Sequence, residues 1–209
     1  MSVFPKRLND GYAAFRSGRL AEDRDRYRRL AKRGQRPETM IIACCDSRSA
    51  PETIFDASPG ELFVHRNVAN LIPPYTTDGA QHGTSAALEF GVTSLRVQNL
   101  VVLGHGRCGG VHAYLSGDSH ENTDFIGPWI KLLAPAADLI ADDTLGGKDP
   151  QQALEFASIR QSIANLRSFP WVASGEEKGT IVLHGAWFDI STGELLVLDQ
   201  ADNSFQPLA

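Results

Sequence analysis

Met40-Ile41-Ile42-Ala43-Cys44-Cys45 is a short, almost purely apolar run, and such a run demands a strand covered on both faces. A strand of that kind belongs in a sheet sandwiched by helices. Similar runs occur at Leu62-Phe63-Val64, after the turn signal Ser58-Pro59-Gly60, and at Leu100-Val101-Val102-Leu103, which ends in glycine. Between them, residues 84–95 read as a helix whose Ala87, Leu88 and Gly91 face the sheet. Leu154, Ala157, Ile159 and Ile163 space a longer helix over 151–166, and shorter helices over 110–115 and 129–140 flank a loop at Gly117-Asp118-Ser119. Runs at 180–183 and 195–198, joined by Ser191-Thr192-Gly193, predict an antiparallel hairpin at one edge. The alternation predicts an α/β fold: a mostly parallel central β-sheet flanked by helices, with an antiparallel edge strand. Residues 5–32 are charged and helix-favouring, with only a thin apolar stripe of Leu20, Tyr27 and Leu30, and predict an N-terminal helical arm over 1–36. No Pro/Gly/Ser linker parts two self-sufficient halves, so 1–209 reads as one domain.

The net charge of −5 gives no electrostatic reason to expect nucleic acid as a partner. The first residues lack the apolar stretch of a secretory signal, and no uncharged segment is long enough to span a bilayer. The expectation is therefore a cytoplasmic protein with no membrane partner. In that reducing compartment an odd, clustered set of cysteines, Cys44, Cys45 and Cys108, is better explained by metal or catalysis than by disulfides.

Cys44, Asp46 and Arg48 end the first apolar run, and Gly104-His105-Gly106-Arg107-Cys108-Gly109-Gly110 ends the run that begins at Leu100. In an open parallel sheet, strand ends at a switch in strand order form the ligand crevice, so the two motifs can meet. Zinc accepts such a mixed set of thiolate and imidazole, and three protein ligands leave a fourth position for chemistry. Taken singly, a cysteine after a strand is usually a buried small hydrophobe; the His105 and Cys108 spacing shifts that balance. Gly104-x-Gly106-x-x-Gly109 with Asp124 downstream also satisfies a dinucleotide fingerprint, but metal-binding side chains fill that loop. Asp46 and Arg48 are either a surface ion pair or, if enclosed, a device that orients a carboxylate beside the metal. Arg66 and Asn67 read as structural. His65, His82, His112, His120 and His184 have no partner at ligand spacing. Strand alternation does not choose between Cys44 and Cys45.

These residues resemble the beta-class carbonic anhydrases. Cys44-Cys45-Asp46-Ser47-Arg48 matches the family's Cys-x-Asp-Ser-Arg, and His105-Gly106-Arg107-Cys108-Gly109-Gly110 matches its His-x-x-Cys-Gly-Gly. The segment from Pro59 to Asn70 resembles its second-strand region. The resemblance implies one Zn²⁺ per chain on Cys44, His105 and Cys108, with Asp46 and Arg48 as a catalytic dyad beside the open position. It implies a substrate pocket of the plant-like type from Gln35, Phe63, Val68, Gly109 and Phe90, the last standing where a tyrosine is usual. It also implies reversible hydration of carbon dioxide to bicarbonate and a homodimer or higher homo-oligomer. Ile41 and Phe188 occupy positions where one branch carries the tryptophan and tyrosine of an inhibitory bicarbonate site, so that site is expected to be missing. Hydrolysis of carbonyl sulfide or carbon disulfide on the same zinc is the nearest alternative reading, and a non-catalytic zinc-binding module a further one.

Overall fold

The computed structural model describes residues 4–117, 123–140 and 149–208; Asp118, Ser119 and His120 lie outside them. The chain divides into two compact units, the first up to Arg36 and the second from Pro37. The first unit holds α1 (Lys6–Ser17), α2 (Arg19–Glu22) and α3 (Arg24–Arg33), none with a buried residue. Of its apolar stripe Tyr27 is exposed and Leu20 and Leu30 are half-buried, and Phe15 lies edge-on to Tyr27.

The second unit is built on a six-stranded sheet in the order β2-β1-β3-β4-β5-β6. The strands are β1 (Thr39–Cys44), β2 (Leu62–Asn67), β3 (Asn99–His105), β4 (Val182–Phe188), β5 (Leu195–Asp199) and β6 (Ser204–Pro207). The first four are parallel, and β5 and β6 add antiparallel. The helices are α4 (Pro51–Ile54), α5 (Gly83–Glu89), α6 (Gly109–Ser116), α7 (Ile126–Ile130), α8 (Ala134–Ile140), α9 (Pro150–Leu166) and α10 (Pro170–Glu177). Burial of five of the six β1 residues explains its uninterrupted apolar composition. On one face Met40, Ile42, Leu100, Val102 and Leu183 form a core with Leu88 of α5, Ile159 and Ile163 of α9 and Val172 of α10. The other face gathers Ile41, Ala43, Leu103 and Ala186, with Ile54 of α4 and Phe188 against them.

Several elements differ from the sequence expectation. The helix over 84–95 is α5 followed by a π-helical turn (Phe90–Leu95), closed by Arg96 in the left-handed region. Gly91 in that turn lies against Met40, whose sulfur would be 2.7 Å from an added Cβ, so the widened turn brings backbone onto the sheet. The helix over 129–140 starts earlier, at Ile126, and is broken by a 3-10 turn at Lys131–Leu133. The antiparallel edge has two strands, because β6 pairs outside β5. No helix among the described residues is long and apolar enough to cross a membrane.

Candidate metal centre

From β1 the chain turns one way to β2 and later returns on the other side of β1 as β3, so the switch in strand order lies between the C-terminal ends of β1 and β3. Cys44 ends β1, and His105 ends β3. A two-residue turn, with Arg107 at φ 57°, then brings Cys108 to the start of α6. The Cys44 and Cys108 sulfurs are 4.0 Å apart, and with a His105 ring nitrogen the three buried ligand atoms lie within 4.8 Å of one another. His105 Nδ1 donates to the Gly106 carbonyl at 2.9 Å, which fixes the ring and leaves Nε2 buried without a hydrogen-bond partner among the described residues. A buried ring nitrogen held in this way beside two sulfurs fits the donor set of zinc. Cys45 stands outside this cluster, exposed, its N–H bonded to the Asn67 carbonyl at 2.9 Å.

The cluster favours a negative sulfur even before a metal is considered. The bond from Cys108, outweighing burial, draws the Cys44 thiol down, and the same contact together with burial pushes Cys108 up. Burial disfavours the His105 cation, and the adjoining Cys44 sulfur more than offsets it. The Ala69 N–H also points at Cys44 Sγ, at 3.4 Å. It does so because Ala69 and Asn70 adopt φ of 62° and 49°, a left-handed backbone unfavourable for alanine. Asn67 bonds both the N–H and the carbonyl of Leu71, and Trp129 Nε1 donates to the Val68 carbonyl at 2.8 Å, so this turn is held from both ends.

Asp46 is gripped by Arg48. Nε reaches Oδ1 at 2.9 Å, Nη2 reaches Oδ2 at 2.7 Å, and the Arg48 backbone N–H adds a third bond to Oδ1 at 2.9 Å. These bonds hold the Asp46 carboxyl well below the usual carboxylate range. Of the two readings left open for this pair, the structure falls between them: the Asp46 side chain is 17% exposed, whereas that of Arg48 is 53% exposed. Arg48 gains order instead from a further bond to the Arg107 carbonyl at 3.2 Å, which ties the two motif loops together. Arg66 has the structural role read for it, donating to the carbonyls of Cys44 and Asp46 at 2.8 and 2.6 Å.

Among the pocket residues, Val68 packs in the cluster that contains Cys44 and Cys108, and Gly109 opens α6 directly after Cys108. Phe63 and Phe90 pack on each other, ring centroids 5.8 Å apart, but away from the metal cluster. Phe63 pairs in register with Met40, four residues before Cys44, or about 13 Å at the usual strand rise. Within one chain the Phe63 and Phe90 pair thus lies toward the opposite end of β1 from Cys44. Gln35 belongs to the first unit. Ile41 and Phe188 meet in an apolar cluster. His65, His82 and His184 bond Thr84, Asp78 and Asn99, and His112 is exposed. Beside Asn67 and Val68 a groove of about 860 Å³ runs past Thr84, Phe125 and Trp129. Glu155, 4% exposed in the middle of α9, and Trp187 of β4 were missed by the sequence reading. The one available signal was a carboxylate inside the apolar string Ala153-Leu154-Glu155-Phe156-Ala157.

The family model described as carbonic anhydrase matches residues 39–195. Beta carbonic anhydrase 5, chloroplastic, of Arabidopsis thaliana is 35% identical over 186 residues, which is 87% of this chain; the chain spans 60% of that relative's length. The solved structure of the beta-carbonic anhydrase CcaA superimposes with a TM-score of 0.89 at 31% identity, covering 98% of this chain and 92% of the other. A structure of two tetrameric beta-carbonic anhydrases from Sordaria macrospora gives a TM-score of 0.79 at 27% identity, with 97% of each chain covered. With the Cys-His-Cys cluster standing at the switch in strand order, these matches identify the chain as a member of the beta-class carbonic anhydrase family.

Proposed function

We propose that this chain catalyses the reversible hydration of carbon dioxide to bicarbonate and a proton, using one zinc ion held by Cys44, His105 and Cys108. The observation that carries the reading is the buried, unpartnered His105 Nε2 beside two sulfurs, with an arginine-clamped carboxylate two residues after Cys44. When bound, zinc supplies the Lewis acidity that makes a water molecule nucleophilic near neutral pH. Arg48 keeps Asp46 ionised, so Asp46 can only accept a hydrogen bond, and by doing so it orients the attacking water. Gly109 heads α6, where the first amides of a helix favour an oxygen that gains charge. Val68 supplies an apolar wall, and Gln35 completes the substrate set on the strength of the resemblance. Phe63 and Phe90 serve the centre of a second copy, which requires a homodimer or a larger homo-oligomer. Three free cysteines suit a reducing compartment such as the cytosol.

Stopped-flow hydration of carbon dioxide and hydrolysis of carbonyl sulfide, measured on the same zinc-loaded sample, test this reading. Fast hydration that disappears in Cys44→Ser is the expected result. Turnover of carbonyl sulfide alone would transfer the site to the hydrolase alternative, and no turnover of either would leave only a zinc-binding module.

A further inference from the structure

Outside the ligands and the Asp46 clamp, the Glu155 carboxylate is a buried polar group tied directly to the Cys108 loop. Three N–H donors converge on it: Cys108 N at 3.0 Å and Gln151 Nε2 at 3.1 Å on Oε1, and Trp187 Nε1 at 2.9 Å on Oε2. Gln151 Nε2 also donates to the Cys108 carbonyl at 3.2 Å. Gln151 and Glu155 are one turn apart on α9 and share a face, so together they grip both peptide groups of Cys108, one by its N–H and the other by its C=O. The helix is itself anchored beside the same loop, since Asp149 caps it through Gln152 N at 2.8 Å and approaches Arg107 at 3.5 Å. Ile159, one turn beyond Glu155, lies against Gly104, where an added Cβ would come within 2.7 Å of it, which locks α9 to β3 just before His105.

We infer that Gln151 and Glu155, braced by Trp187, are positioning residues for the zinc site: they hold the Cys108 backbone so that its sulfur converges with Cys44 and His105. This rests on the metal reading above. A backbone held on both sides keeps the Cα–Cβ bond of Cys108 directed at the cluster, and outer partners of this kind typically contribute about 10–100-fold in metal affinity. A buried carboxylate serving only the fold would instead alter stability and leave the affinity of the folded protein unchanged.

The test is zinc affinity by chelator competition, together with the visible spectrum of the cobalt-substituted protein, on the parental chain, Glu155→Gln, Gln151→Ala and, as a control on α10, Glu176→Gln. Glu155→Gln retains an acceptor but turns an amide N–H toward donors, and it should lose about 10–100-fold in zinc affinity with shifted thiolate-to-cobalt bands. Gln151→Ala leaves the bonds from Cys108 and Trp187 to Glu155 in place and should lose several-fold; it decides the matter if Glu155→Gln does not fold. The control should match the parent. Parental affinity and spectrum in both folded α9 variants, or in Gln151→Ala alone if only that folds, would overturn the inference whatever the change in melting temperature. A parental chain that binds no zinc would overturn the metal reading and this inference with it.

Discussion

Cys44 and Cys45 are adjacent in sequence but opposite in fate, one buried in the cluster and the other exposed with its thiol pushed up, first by burial and then by the neighbouring Cys44 charge. Cys45→Ser should therefore retain a full equivalent of zinc, and Cys44→Ser should lose it; metal analysis of the purified variants checks both. Arg48→Ala should keep the metal, because it removes no ligand, yet lower turnover by about 10–100-fold as Asp46 loses its fixed orientation. Near-parental turnover with zinc bound would show that the clamp is idle. The acid response follows from the sign of the Asp46 shift. A carboxylate depressed on folding contributes stability that is complete above its ordinary value of about 4 and is lost only as pH falls through the lower folded value. Between pH 6 and 4 Asp46 thus stays charged, and inactivation there should track zinc release as protons compete for the ligands; activity lost with zinc still bound would contradict this. The motif residues were legible because their chemistry is local in sequence. Glu155 was not, since its three donors come from α9 itself, the Cys108 loop and β4, and no spacing rule connects them.

At the level of elements, the turn after β2 and the start of α6 fit only because Gly110 lacks a side chain. A Cβ there would come within 2.9 Å of Val68 Cγ1 and 3.0 Å of the Ala69 Cβ. Gly110→Ala should displace the turn that aims the Ala69 N–H at Cys44, destabilise the fold by about 1–3 kcal/mol and weaken zinc binding. Thermal unfolding of apo and zinc-loaded protein separates the two effects, and parental melting in both forms would refute the prediction. The inner parallel strands β1 and β3 could be read from sequence because burial on both faces leaves an apolar signature. The missed elements carry no such mark. β6 is four residues long and half polar, and α10 begins at Pro170 directly after Phe169, with Ser174 and Gly175 interrupting its pattern. Gly175 is needed there because an added Cβ would fall 2.4 Å from Ile181 Cδ1, a tertiary constraint that local propensity does not encode. The π-helical turn escaped notice for the same reason, since its cause is the approach of Gly91 to Met40.

Across the whole molecule, the N-terminal helices expose apolar side chains such as Leu8, Tyr12 and Tyr27, and Phe90 remains 48% exposed on the larger unit. Removal of residues 1–36 should leave a folded sheet unit that sediments as a monomer and has lost its activity, if those surfaces serve a second copy. A fully active monomer after truncation would remove both the oligomer and the shared pocket from the proposal. The site itself also bears on how the chain comes apart. Cys44 and Cys108 are 64 residues apart in sequence, yet their sulfurs meet at 4.0 Å. An ion that joined them would close that long loop in the unfolded chain as a cross-link does, an entropic restriction of about 4 kcal/mol if the closure were covalent. Zinc would then act as a reversible staple between the ends of the first and third strands, one that restricts the unfolded chain for as long as both sulfurs hold it.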